Sequence, residues 1–63
     1  MIITIDDIRQ AGICVAGARP WFRQHGLDFA DMLKNGIEAE RLLATGDAMA
    51  IRVVEMKQER QNG

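Results

Sequence analysis

Four glycines divide this chain: Gly12, Gly26, Gly36 and Gly46 each close a short stretch of helical character. Three are followed at once by an aliphatic residue, in Gly12-Ile13, Gly26-Leu27 and Gly36-Ile37. A helix that ends on a left-handed glycine, with an apolar residue folding back on its last turn, forms a Schellman stop. Three such stops in 63 residues predict several short helices joined by tight turns.

The helix starts agree. Thr4 precedes a segment with Asp7 at its N3 position, the spacing of a capping box. Asp28 precedes FADMLKN, with Asp31 at N3 and Leu27 and Met32 in the two places of a hydrophobic staple. Asp47 opens AMAIRVVEMKQER. Each aspartate also faces the positive end of its helix dipole. The resulting helices are 5–11, 18–25, 29–35, 38–45 and 48–60, with Met49, Ala50, Val53, Val54 and Met56 striping the longest. Pro20 fits only a first turn on this reading, so the second helix begins near Ala18. Segment 13–17 is either extended or a turn. The opening MIITI either forms a short extended arm or tucks Ile2 and Ile3 onto the bundle, and QERQNG is a polar tail that frays.

The expected fold is a single all-α domain over 1–63, a compact bundle of four or five short helices, with 57–63 as its polar tail and helix 48–60 lying across the others. The expected core is Ile5, Ile8, Cys14, Phe22, Leu27, Phe29, Met32, Leu33, Ile37, Leu42, Leu43, Met49, Val53 and Val54. A chain this short buries only about 60% of the surface its unfolded form exposes, so dense packing, self-association or a partner must supply stability.

Composition narrows the function classes. One cysteine, Cys14, allows no internal disulfide, and with His25 it leaves a zinc site two ligands short. No apolar run approaches the roughly 20 residues of a membrane span, and the start lacks a basic leader. The expected location is therefore the cytoplasm. A net charge of −1 gives no general attraction to nucleic acid. Residues 1–26 hold three arginines against two aspartates, whereas 27–56 hold three cations against six acids. That distribution suits docking between polar protein surfaces.

The cluster Arg19, Trp21, Phe22, Arg23, His25 holds the only tryptophan and two of the six arginines. Trp and Arg dominate interface hot spots, so Arg19, Trp21, Arg23 and His25 are the candidate partner-binding residues. The plainer reading puts Trp21 and Phe22 in a small core and leaves the arginines solvated. A DNA-binding module is the alternative. In a helix-hairpin-helix, turn amides beside a helix N-terminus meet a phosphate, and Lys34, Asn35, Gly36 and Ile37 would fill that role. Glu38 and Glu40 stand where the phosphate would approach. A helix-turn-helix from 18–25 and 29–35 would present Asp28, Asp31, Phe29 and Met32 to the bases, with Lys34 as its one cation. Catalysis finds no support: a Cys14–His25 pair lacks a third partner and a cleft, and there is no phosphate loop, dinucleotide motif or metal constellation. Neither an enzyme nor a cofactor or small-molecule substrate is expected.

Taken in order, Thr4-x-x-Asp7-Ile8-Arg9-x-Ala11-Gly12, then Gly17-Ala18-Arg19-x-Trp21-Phe22-x-x-His25-Gly26-Leu27-Asp28, then Leu33-x-Asn35-Gly36-Ile37, then the run from Leu42 to Glu55, make up a pattern over residues 4–55. This pattern resembles small uncharacterised helical proteins of tailed phages and prophages, often encoded near virion-assembly genes. The resemblance implies a phage accessory or virion part that works by binding a phage structural protein, a host protein or copies of itself. It implies the host cytoplasm or the virion as location, with the head–tail region as first choice, and it adds no cofactor.

Overall fold

A computed structural model describes residues 1–62. In chain order the elements are β1 (Ile2–Ile3), α1 (Ile5–Gln10), α2 (Val15–Gln24), α3 (Phe29–Asn35), β2 (Ile37–Glu38), α4 (Ala39–Leu43) and α5 (Ala48–Asn62). The fold is mostly helical but not all-α. β1 and β2 pair antiparallel, with Ile2 opposite Glu38 and Ile3 opposite Ile37. The Ala39 N–H extends the ladder to the Met1 carbonyl at 2.9 Å. The opening arm is thus extended and inserted: Ile3 is fully buried, while Ile2, on the other face, stays exposed.

The glycine stops hold at the first two sites. Gly12 and Gly26 take positive φ, and the residue after each donates back across the last turn, Ile13 to the Ile8 carbonyl at 3.3 Å and Leu27 to the Phe22 carbonyl at 2.8 Å. Gly36 behaves differently. Its own N–H ends α3 on the Met32 carbonyl at 2.8 Å, and its φ of 77° turns Ile37 out into β2. The expected Schellman stop is absent there because β1 competes for that backbone.

The helix starts match their caps. The Thr4–Asp7 box is complete, with the Thr4 N–H donating to Asp7 Oδ2 at 2.8 Å and the Asp7 N–H donating to Thr4 Oγ1 at 3.4 Å. Asp28 Oδ1 accepts from the Asp31 N–H at 3.0 Å, and Asp47 Oδ1 from the Met49 N–H at 2.8 Å. The second helix starts earlier than the sequence predicts. Cys14 caps it, its Sγ accepting from the Gly17 N–H at 3.3 Å, so Pro20 lies in the helix interior. Proline there removes only the bond to the Ala16 carbonyl, and Ala16 is exposed, where a missing donor costs least.

Ile3, Ile8, Ala11, Ala18, Phe22, Met32, Ile37, Ala39, Leu42, Ala50, Val53 and Val54 form the core. Phe22 anchors it, meeting Phe29 edge-on at 5.3 Å. Burying a ring or aliphatic chain of this size contributes about 1.5–3 kcal/mol. Ile5, Leu27, Phe29 and Trp21 pack around the core as partly buried residues. Three expected members face outward: Leu33 is 48% exposed, Leu43 is 41% exposed, and Cys14 is an exposed cap. Four alanines and Ile3 take up core positions instead, because short helices approach closely where side chains are small. α5 packs against both α4 and α1.

The segment expected to fray is held. α5 continues to Asn62, and its last turns grip Asp7, which is only 7% exposed. Lys57 Nζ donates to Asp7 Oδ2 at 2.8 Å, and Arg60 Nη2 to Asp7 Oδ1 at 2.7 Å. Lys57 also donates to the Ile2 carbonyl, tying α5 to β1. Gly63, the last residue of the expected tail, lies outside the described residues.

Candidate functional site

Successive residues of α2 are turned by about 100°. Ala18 and Phe22 point into the core. Trp21 and His25, one turn apart, line one flank of that buried stripe, and Arg19 and Arg23, also one turn apart, line the other. The four candidate residues therefore form no single knob. They bracket the outward face of α2, where Ala16, Gly17, Pro20 and Gln24 are all exposed. The small residues Ala16, Gly17 and Pro20 keep that face low between its two borders.

The aromatic border is well fixed. Trp21 is partly buried, meets Phe22 edge-on at 5.5 Å and lies 4.4 Å from the His25 ring. His25 caps the C-terminus of α2, with Nε2 3.9 Å from Asp47 Oδ2 at the start of α5. The Trp21 Nε1 atom is shielded from solvent and has no hydrogen-bond partner among the described residues. On the opposite border, the Arg19 guanidinium sits 5.4 Å above the Phe29 ring. Among the described residues neither Arg19 nor Arg23 takes part in an ion pair.

The residues of the DNA alternative are placed less favourably for it. Lys34 and Asn35 are exposed at the end of α3, but Ile37 is buried in β2. The Gly36 and Ala39 N–H groups are already engaged, by the Met32 and Met1 carbonyls. The Asn35 side chain donates to Asp31 Oδ1 at 2.9 Å. A phosphate approaching this turn would meet occupied amides with Glu38 beside them.

Cys14 and His25 cap opposite ends of α2, which at about 1.5 Å per residue keeps them roughly 16 Å apart, so no thiolate–imidazole pair forms. Among the described residues no group of three or more His, Cys, Asp or Glu side chains gathers to hold a metal ion, and no helix is long and apolar enough to cross a membrane.

Sequence reasoning missed the strongest electrostatic site. Burial alone would raise the Asp7 carboxyl, but hydrogen bonds from Lys57 and from the Thr4 backbone and hydroxyl outweigh it, and the group is held below its ordinary value. Thr4–Asp7 spacing read as a cap, and the cap is present. The available signal was the pair Lys57 and Arg60, three apart at the end of an apolar helix stripe.

Comparison with protein-family models, with curated proteins and with solved structures finds no match to this chain.

Proposed function

We propose that this chain is a non-catalytic protein-interaction module of a tailed phage or prophage, acting as a component of virion assembly, with the head–tail region as first choice, or as a modulator of a host protein. On this reading it works in the host cytoplasm or within the virion, and it docks by the outward face of α2. The observation that carries the reading is the bordering of that low face: two exposed guanidinium groups that join no ion pair among the described residues on one side, and the half-buried Trp21 and His25 rings, 4.4 Å apart, on the other. A partner segment laid along Ala16, Gly17, Pro20 and Gln24 reaches both borders at once. Its acidic groups pair with Arg19 and Arg23, and its ring-filling contacts use Trp21 and His25.

The test is affinity capture from the source cells, read as the mass of the intact complex, for the wild-type chain and for an Arg19→Glu/Arg23→Glu double variant. Both positions are exposed, so helical circular dichroism stays unchanged. The expected result is a defined protein partner with the wild type and its loss with the double variant. A partner retained by the double variant, or no protein partner at all, overturns the proposal.

A further inference from the structure

The solvent side of α5 is complementary in charge and spacing to the Arg19 border of α2. In α2, Val15, Arg19 and Arg23 stand four apart and form one row. Both arginines are exposed, and α2 contains no acidic residue. In α5, Ile51, Glu55 and Glu59 form a row of the same spacing. All three are exposed, Ile51 at 39%. At about 100° per residue, their row points away from Ala50, Val53 and Val54, which face the core. Neither the two arginines nor the two glutamates join an ion pair among the described residues. Each row reads apolar, charged, charged from its N-terminal end, in steps of about 6 Å along the helix. The charges are of opposite sign. A single chain does not bring its own rows together: α2 packs mainly on α1 and α3, and α5 on α4 and α1.

We propose that the two rows meet between copies, with α2 of one chain lying along α5 of the next. The inference rests on the reading of α2 as the docking face and names a second copy as its occupant. With the helices parallel, Glu55 reaches Arg19, Glu59 reaches Arg23, and Ile51 covers Val15 and the small Ala16. Rows of residues four apart are the ridges along which helices most often pack, at a crossing of roughly 50°. An antiparallel approach keeps both ion pairs but carries Ile51 past Gln24, where α2 ends. A second α2 offers these arginines no carboxylate at all. Arg52 flanks the α5 row at its Ile51 end, opposite Val15 and not opposite an arginine, so its charge opposes the contact least there. Because the two surfaces differ, the contact is heterologous. A copy that docks by α2 still presents its own α5, so copies add on in an open chain or close into a ring.

Sedimentation velocity and native mass spectrometry of the full chain, at concentrations up to about 1 mM, read the assembly. The wild type is expected to form dimers and higher species at low salt, and fewer at about 0.5 M salt, where charges are screened within a few ångströms. The Arg19→Glu/Arg23→Glu variant has two acidic rows, and the Glu55→Lys/Glu59→Lys variant has two basic ones. Each alone is expected to need about tenfold more protein to associate. Mixed in equal amounts they associate again, because acidic rows on one meet basic rows on the other. All four positions are exposed, and circular dichroism checks that both variants stay helical. A wild type that stays monomeric throughout, a variant that associates as the wild type does, or a mixture no better than its parts overturns the proposal. A chain that stays monomeric yet captures a foreign protein through Arg19 and Arg23 removes only the second copy as occupant. Self-association and capture that both ignore the Arg19→Glu/Arg23→Glu change remove the α2 face as well.

Discussion

Asp7→Asn replaces one oxygen of a buried carboxylate by an amide, with almost no change of shape. In the native chain the two carboxylate oxygens accept from Lys57 at 2.8 Å, Arg60 at 2.7 Å, the Thr4 N–H at 2.8 Å and the Thr4 hydroxyl at 3.0 Å. All four partners are donors. The new amide adds two more donors and keeps one acceptor, so at least one arm of the cluster faces donor against donor. A hydrogen bond to a charged group contributes about 1.5–3 kcal/mol, and two such bonds are weakened here. Lys57 and Arg60 side chains keep 18% and 33% exposure, so once released they regain water. That recovery discounts the loss to about 2–3 kcal/mol. In a domain of this size each kcal/mol moves Tm by about 4–8 °C, which predicts a fall of roughly 10–20 °C at neutral pH. Thermal circular dichroism measures it. The acid dependence is a second check. The folded-state carboxyl is held below its ordinary value, so its stabilisation is present above the ordinary aspartate range and is lost as pH falls through the lowered folded value. The gap between wild type and variant should close on acidification. A neutral-pH loss under about 0.5 kcal/mol would place this cluster among ordinary surface pairs and refute the reasoning.

Gly36→Ala forces a β-carbon into Ile2 Cγ2 and within 3.1 Å of the Ile3 carbonyl oxygen, at a φ of 77°. The expected cost is about 2–4 kcal/mol by denaturant melt, against about 1 kcal/mol for Gly46→Ala, where nothing lies within 4 Å; equal costs would mean that β1 does not press on this turn. Cys14→Ser keeps the exposed cap with a better acceptor and should raise stability by about 0.5 kcal/mol, with the native wild-type thiol open to a thiol reagent; a buried, unreactive thiol would contradict the assignment. Pro20→Ala restores a donor to the Ala16 carbonyl and should stabilise by about 1–2 kcal/mol after the loss of proline's stiffness, and a destabilised variant would show that α2 needs the ring.

What the sequence made legible is what neighbours in the chain decide. Thr4, Asp28 and Asp47 are read as caps from spacings of two or three residues, and α3 falls at 29–35 in sequence and structure alike. The turns at Gly12 and Gly26 are equally local. The departures come from distance along the chain. Ile37 leaves the helix stop because residues near position 2 pair with it, and no local pattern announces a two-residue strand. Asp7 is a cap by its neighbours and an ion-pair centre by residues fifty positions away. Leu33 and Leu43 sit at helical spacing beside true core residues, but short helices meet the core over a narrow stripe, and alanines at 11, 18, 39 and 50 fill it. Of the candidate site, the residue types were legible. Their division between two borders was not, because Phe22 and not Trp21 faces inward.

The grip of Lys57 on Ile2 and Asp7 has a consequence for the order of assembly. Closing a contact across some fifty positions exacts most of its entropy before it returns any stabilisation. During synthesis β1 emerges before α5, which carries its fastening. Until α5 has left the ribosome, Ile3 has a seat without a latch, and the two-residue ladder must wait, half made, for a helix some fifty positions on.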